Sequence, residues 1–222
     1  MTASLDSDVR LRVYRHVVEK GHPPSVAELA RATGIAETDV VASLRRLAAG
    51  RALILGPNAD RIAVAPPFSA VPTPFWVETS KGSWWGNCAW ESLGIAATLE
   101  IDARIRTASG AAAAPLEVVV RGGRVEPKDV VVHIVVPAAR WWDDVGFTCS
   151  TILFFRGAGE VDAWCAAHGV PRGELLTAEQ AWHLAKRWFG GRLDRDWRRL
   201  TPAEAKTSLR EIGRTGPFWE LR

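Results

Sequence analysis

The segment PPFSAVPTP, residues 66–74, places four prolines within nine positions. Proline lacks a backbone N–H donor and its ring fixes φ, so this segment is predicted to form neither a helix nor a central strand. It therefore divides the chain into an N-terminal unit of residues 1–65, a proline-rich linker of residues 66–80 and a larger unit of residues 81–222. With 222 residues, of which 47% are hydrophobic, the chain can bury a core without disulfide bonds.

The N-terminal unit carries the signals of short helices. SVAELARATG begins with Ser25 and Glu28 in the spacing of a capping box and ends at Gly34. AETDVVASLRRLAAG repeats an apolar face and ends at Gly50. With the amphipathic DVRLRVYRHVVEK before them, these helices predict a helix-turn-helix, and RALILGPNADRIAVA predicts a strand, a Pro-Asn turn and a strand as its wing. Residues 1–65 are thus predicted as a winged-helix-like unit.

The larger unit combines strands with helices. Strands are predicted near residues 100–108, 116–121, 130–136 and 147–155 from their apolar, β-branched composition. Helices are predicted around Cys88 and over residues 160–168, 177–189 and 201–212, while RLDRDWRRL is predicted as a solvated helical face and GPFWELR as a tail packed on the core. The overall prediction is an α+β fold, with a mixed or antiparallel sheet and flanking helices after the winged-helix-like unit.

Composition also restricts the environment of the protein. The N-terminal residues include acids where a secretory signal would have a basic start and an apolar run, and the three cysteines are an odd number. We therefore expect a cytoplasmic protein with free thiols. No apolar run approaches the length of a membrane span, so no membrane partner is expected. The net charge of +3 neither requires nor excludes nucleic acid.

Two cysteines and one acid are candidates for chemistry. In WWGNCAWESLG, residues 84–94, Cys88 and Glu91 are three positions apart, which places both on one face of a helix. Cys149 is predicted at or near the start of the apolar strand FTCSTILFF, and Cys165 lies in EVDAWCAAHG. Each cysteine taken alone is better explained as inert core packing, because buried cysteine is common.

Four stretches, in order, resemble the organomercurial lyase, or alkylmercury lyase, family. They are GNCAWESL, FTCSTILFF, DAWCAAHG and LTAEQAWHLAKRWFGG, and the resemblance extends from about residue 8 to about residue 195. It implies that Cys88 and Cys149 are the cysteines that bind mercury and that Glu91 stands where the family has its catalytic aspartate. The side chain at this position is one methylene longer than in the family, and the resemblance gives Cys165 no role.

The activity implied by this resemblance is protonolytic cleavage of carbon–mercury bonds to a hydrocarbon and Hg(II). Thiolates are soft ligands that suit Hg(II), and a carboxyl group beside the metal can relay a proton. No organic cofactor is expected; the expected partners are a small organometallic substrate and a low-molecular-weight thiol that removes the product. Trp84, Trp85 and Trp90 are predicted to wall the site, exclude water and accept an apolar group.

Other interpretations stay open at this point. A divergent relative would keep the thiol pocket but bind a soft metal ion or act on another organometallic compound. A winged-helix regulator would read DNA and sense a metal or an oxidant, but Glu37 and Asp39 lie where phosphate contacts would form, and nearby arginines compensate for them only in part. The family resemblance implies that this unit serves as structural cover. Cys165 and His168 could also join the other two cysteines in a Cys₃His zinc site.

Overall fold

The N-terminal part of the computed structural model is helical. The structure describes residues 2–58 and 61–221. It begins with α1 (Thr2–Lys20), α2 (Val26–Thr33) and α3 (Glu37–Ala49). Ser25 and Glu28 form the predicted capping box of α2, and Gly34 ends that helix at φ 73°. The strands of the predicted wing follow α3, but Ala59 and Asp60 of its turn lie outside the described residues.

An antiparallel sheet of eight strands begins with the strands predicted as the wing and continues through the region predicted as the larger unit. Its strands are β1 (Ile54–Leu55), β2 (Ile62–Ala65), β3 (Phe68–Ser69), β4 (Trp76–Thr79), β5 (Gly82–Gly86), β6 (Ala103–Ala108), β7 (Pro115–Arg121) and β8 (Arg124–Glu126). Their order across the sheet is β1-β2-β3-β5-β4-β6-β7-β8. Every neighbouring pair in this order is antiparallel.

The proline-rich segment contributes to this sheet, which corrects the prediction that it forms no central strand. Phe68 and Ser69 pair with β2 on one side and with β5 on the other. A strand of two residues fits between Pro67 and Pro72 because neither of its residues is a proline, so both keep their N–H groups. The sheet also includes β4 within the predicted linker, so it crosses both predicted boundaries. The division into units of residues 1–65 and 81–222 stays a prediction.

In the described part of the chain, a second antiparallel sheet and five further α-helices complete the fold. The strands are β9 (Val131–Ile134), β10 (Leu153–Phe155) and β11 (Glu174–Thr177), in the order β10-β9-β11. The helices are α4 (Ala89–Leu99), α5 (Val145–Thr151), α6 (Ala158–His168), α7 (Ala178–Phe189) and α8 (Pro202–Glu211). The predicted α+β class is confirmed. Among the described residues, no helix combines the length and the apolar character needed to cross a membrane.

Helix α4 lies at the centre of the molecule. All of its residues from Ala89 to Leu99 are buried, as expected for a helix that is mostly apolar around its circumference. It packs closely on α7 because Gly94 has no side chain: a Cβ there would lie 2.5 Å from the ring of Phe189. It also contacts β5 and β10, and it therefore holds its first turn between the two sheets.

The segment predicted as a strand over residues 147–155 is partly helical. Residues 145–151 form α5, and only Leu153–Phe155 are a strand. Asp144 begins the helix, because its side chain accepts a hydrogen bond from the backbone N–H of Phe147 at 2.9 Å. This cap outweighs the modest strand preference of the two threonines in the helix. In a helix, a threonine hydroxyl can also donate a hydrogen bond to a backbone carbonyl of the preceding turn.

Candidate active site

Cys88 stands at the start of the central helix. It is the N-cap of α4, with extended backbone at φ −153° and ψ 178°, and its Sγ accepts a hydrogen bond from the N–H of Glu91 at 3.4 Å. The side chain is only 1% exposed. The sulfur therefore occupies the position where a helix offers unpaired N–H donors and its positive dipole end.

Cys149 is brought to Cys88 by a backbone contact between the two helices. The carbonyl of Ile152, directly after α5, accepts a hydrogen bond from the N–H of Ala89 at 3.0 Å. Cys149 is half-buried in the last turn of α5. The two sulfurs and a carboxylate oxygen of Glu91 all lie within 4.8 Å of one another. The structure thus brings together the three residues that the sequence singled out, within the range expected for a shared ion.

Glu91 joins the two thiols through one oxygen atom. Its Oε2 accepts hydrogen bonds from Cys88 Sγ at 3.5 Å and from Cys149 Sγ at 3.6 Å. The same atom accepts a hydrogen bond from Asn87 Nδ2 at 2.9 Å. Glu91 is 6% exposed, so its carboxyl group interacts with these donors and little with water. Sequence reasoning missed Asn87, although its place directly before Cys88 was a usable signal.

Burial keeps protons in this site. It raises the pKa of Glu91, against the hydrogen bonds from Asn87 and Cys88 and the positive charge of Arg192, which lower it. Burial also raises the pKa of Cys88 well above its usual range, with further increases from Cys149 and Glu91. The hydrogen bond with Cys88 lowers the pKa of Cys149, but burial and Glu91 outweigh it and the net direction is upward. The resting site therefore holds two protonated thiols around a carboxyl group.

A cavity of about 190 Å³ opens onto these three residues, and its walls are largely aromatic. Its aromatic lining consists of Trp90, Trp141, Trp142, Trp188, Phe189 and Trp197. The ring of Trp90 contacts those of Trp141, Trp188 and Phe189, with centroids 5.3 to 5.6 Å apart. Such walls favour an apolar or aromatic ligand and exclude bulk water.

Of the three tryptophans predicted to wall the site, Trp90 lines the cavity, whereas Trp84 and Trp85 lie elsewhere. Trp84 packs against Phe68 and donates its Nε1–H to the Val17 carbonyl of α1 at 2.9 Å. Trp85 lies on the opposite face of β5 beside Trp76, with ring centroids 4.5 Å apart. The prediction failed because side chains alternate along a strand, so neighbours in sequence face different sides.

The rest of the aromatic wall comes from segments that the sequence did not mark as part of the site. Trp141 and Trp142 come shortly before Cys149 in sequence, and Trp188 lies in α7. Trp197 belongs to RLDRDWRRL, which was predicted as a solvated helical face but contains turns, a bend and irregular backbone. Trp197 is half-buried in the cavity wall. The predicted packing of the C-terminal tail is confirmed by Trp219, which is 3% exposed.

Cys165 and His168 take no part in this cluster, so the proposed Cys₃His zinc site is wrong. Cys165 is buried on α6 with its Sγ 3.7 Å from Nε2 of His133. His168 is exposed and donates its Nδ1–H to the Trp164 carbonyl at 2.8 Å. Throughout residues 2–58 and 61–221, the one group of three or more metal-ligating side chains consists of Cys88, Glu91 and Cys149.

The helical N-terminal unit offers little to a nucleic acid. The first turn of α3 contains Glu37 and Asp39, which repel phosphates. Arg46 forms an ion pair with Asp6 at 2.7 Å, and the guanidinium of Arg51 lies over Trp142, 5.2 Å from its ring centroid. Two of the arginines that could have compensated for the acids are therefore engaged within the protein.

Comparisons with known proteins bear on this arrangement. A family model described as alkylmercury lyase (MerB) matches residues 68–190, more than half of the chain, and this range contains Cys88, Glu91 and Cys149. Among solved structures, the crystal structure of the mercury-bound form of MerB2 aligns with a TM-score of 0.66 and 23% sequence identity. The alignment covers 83% of this chain and 91% of that one, so the two share most of a fold. No curated protein matches the chain.

Proposed function

Because the chain belongs to the alkylmercury lyase family, we propose that it cleaves carbon–mercury bonds by protonolysis, using Cys88, Cys149 and Glu91. The observation that carries this proposal is the meeting of two thiols and a carboxyl group, within 4.8 Å of one another, at an aromatic cavity. Two thiols are the ligands that a soft Hg(II) centre prefers, and the carboxyl group supplies a proton carrier that thiols alone lack.

The reaction uses the protons already present in the site. As the substrate R–Hg⁺ enters, one thiol loses its proton to solvent and its thiolate binds mercury. The second thiol transfers its proton to the Glu91 carboxylate as its own thiolate binds mercury. Glu91 then donates a proton to the carbon atom bound to mercury. The C–Hg bond breaks with its electron pair on carbon, a C–H bond forms, and Hg(II) remains bound to two thiolates. One thiol proton thus ends in the hydrocarbon and the other leaves to solvent.

The raised pKa values suit this sequence. A carboxyl group whose pKa is raised by burial accepts a proton more readily than an ordinary glutamate and still releases it to a carbanion-like carbon. The thiols stay protonated until mercury displaces their protons, so the acid needed for protonolysis is carried into each turnover. An external thiol completes the cycle by exchanging with the two sulfurs and removing Hg(II); no organic cofactor is required.

The position of the Glu91 carboxyl group distinguishes a lyase from a relative that binds a soft metal without turnover. Its longer side chain could have moved the carboxyl group out of reach of the reacting atoms, since displacements of about 1 Å cost about 100-fold in rate. Instead, Glu91 Oε2 lies within hydrogen-bonding distance of both sulfurs. This contact favours the lyase over a pocket that only binds metal.

The test is direct detection of the hydrocarbon. The purified protein is incubated with phenylmercury and an excess of a small thiol in D₂O, and the headspace is analysed for benzene by mass spectrometry. We expect benzene that carries one deuterium, because the proton comes from exchangeable groups. If the protein retains mercury but yields no more benzene than the thiol alone, the chain is a metal binder and the lyase proposal is wrong.

A further inference from the structure

Three arginines line the same cavity as the thiols. Arg192 is only 4% exposed, Arg199 is half-buried, and Arg51 is exposed at the edge of the cavity. The guanidinium of Arg192 lies 4.4 Å from the ring centroid of Trp197, and that of Arg199 lies 5.3 Å from the ring centroid of Trp142. Stacking on these indole rings holds the cationic groups in fixed positions.

These charges lie close together. Burial lowers the pKa of Arg199, and the charges of Arg51 and Arg192 lower it further. Within residues 2–58 and 61–221, none of the three arginines forms an ion pair. The cavity is therefore lined by a group of like charges that repel one another.

Arg192 has a donor without a partner. One of its terminal nitrogens donates a hydrogen bond to the hydroxyl of Tyr14, but its Nε is buried and has no hydrogen-bond partner among the described residues. A buried guanidinium N–H without an acceptor is costly, since each such group loses its hydration without compensation. Among the described residues that line the cavity, Glu91 is the one acid, and its Oε2 is occupied by hydrogen bonds from Asn87, Cys88 and Cys149.

We propose that Arg51, Arg192 and Arg199 form a subsite for an organic carboxylate beside the thiol pair. The planar fork of a guanidinium matches a carboxylate, and the tryptophan walls accept the organic body that carries it. The proposal rests on the lyase function for its biological meaning: the carboxylate belongs either to the organomercurial substrate or to the thiol that removes Hg(II). Both are small molecules that join a soft group to an anion.

Binding of benzoate tests the subsite without any mercury chemistry. Benzoate and its neutral isostere benzamide are titrated into the reduced protein, with tryptophan fluorescence and calorimetry as readouts. We expect benzoate to bind at least about tenfold more tightly, the usual worth of a charge-assisted hydrogen bond, and Arg199→Gln to abolish the difference. Arg51→Gln, at an exposed side chain, serves the same purpose should Arg199→Gln fail to fold.

The matched control is Arg198→Gln. It removes the same charge one residue away, where the guanidinium pairs with Glu204 at 2.6 Å. Arg198→Gln should keep the preference for benzoate. Equal binding of benzoate and benzamide, or an equal loss in Arg198→Gln, would overturn the subsite, whether or not phenylmercury is cleaved.

Two kinetic comparisons assign the source of the carboxylate. If it belongs to the substrate, the ratio of kcat/KM for 4-carboxyphenylmercury over phenylmercury falls about tenfold in Arg199→Gln. If it belongs to the thiol, the ratio of Hg(II) release rates for 3-mercaptopropionate over 2-mercaptoethanol falls instead. If neither ratio changes, the subsite does not serve the thiol pair and the proposal is wrong. Absence of benzene from phenylmercury contradicts the lyase function alone, because benzoate binding is measured separately.

Discussion

Glu91 Oε2 receives hydrogen bonds from three side chains, and this sharing determines how protons move in the site. Glu91→Gln keeps the size of the side chain but cannot carry a proton. We expect this variant to retain Hg(II), while hydrocarbon release falls about 100-fold, the scale of general acid–base catalysis. Mercury retention and benzene release are measured on the same samples.

Glu91→Asp is the control for this variant. It keeps a carboxyl group at the same helix position and introduces the residue that the family resemblance implies, so it should retain or raise activity. Turnover by Glu91→Gln at the parent rate would show that another group supplies the proton. Turnover by Glu91→Asp but not by the parent would mean that the longer side chain of Glu91 prevents catalysis in this protein.

The two site cysteines and the third cysteine should differ sharply on substitution. Cys149→Ser replaces a soft ligand with a hard, weakly acidic hydroxyl, so both tight Hg(II) retention and benzene release should be lost. Cys165→Ser lies outside the cluster and should leave both nearly intact. Equilibrium dialysis against Hg(II) and the benzene assay measure the two effects. Equal damage from both substitutions in folded protein would remove Cys149 from its assigned role.

At this scale the sequence predicted the reacting residues better than their surroundings. Cys88, Glu91 and Cys149 were identified because their motifs resemble a family, and the structure brings them together. Arg192 was not identified, since its importance depends on contacts made across the fold. Asn87 was missed although its hydrogen bond to Glu91 is local. Trp84 and Trp85 show the same limit: their place beside Cys88 in sequence does not give them a place beside it in space.

Among the helices and strands, the contact between α4 and α7 positions the site, and two glycines allow it to be tested. Gly94→Ala would place a methyl group 2.5 Å from the ring of Phe189, which lines the cavity. We expect a loss of about 1–3 kcal/mol in the free energy of unfolding, despite the better helix propensity of alanine. Denaturant titration measures it.

Gly159→Ala in α6 is the matched control. A Cβ there meets nothing within 4 Å, and the residue is exposed. Alanine should therefore stabilise the helix by up to about 1 kcal/mol. If Gly94→Ala were as stable as Gly159→Ala, the close contact between α4 and α7 would not exist in solution.

Local sequence signals predicted most helices well, but they missed α5 and β3. The capping box at Ser25 and Glu28 marked α2 because its hydrogen bonds join residues three apart. The helix α5 was missed because β-branched and aromatic residues around Cys149 favoured a strand, while its start depends on the single cap of Asp144. The strand β3 was missed because its pairing with β2 and β5 is set by the tertiary fold rather than by the prolines around it.

For the whole molecule, the buried thiols predict a decline in stability at high pH. The ordinary pKa of cysteine is 9.0, which applies to the unfolded chain, whereas burial holds the pKa of Cys88 well above it. Below pH 9 both states are protonated and the stability is unaffected; as the pH rises above 9, only the unfolded state releases this proton. The free energy of unfolding should then fall by up to about 1.4 kcal/mol per pH unit for this group.

The measurement is chemical unfolding at several pH values between 8 and 10 with a reducing agent present. The pKa of Tyr14 is also raised by burial, but from an ordinary value of 10.0, so its effect begins above this range. Cys88→Ala should reduce the slope of stability against pH, whatever its effect on stability at pH 8. An unchanged slope would mean that Cys88 is ionised or exposed in the folded protein.

The position of β4 makes the large sheet depend on segments that are distant in sequence. Although it precedes the site in sequence, β4 lies between β5 and β6 in the large sheet. A chain that began after residue 80 would lack β1 to β4, so β5 would lose both of its partners and β6 would lose one. The open edges would invite pairing with other chains. The large sheet beside the thiol pocket is therefore continuous only when strands from before and after residue 80 are both present.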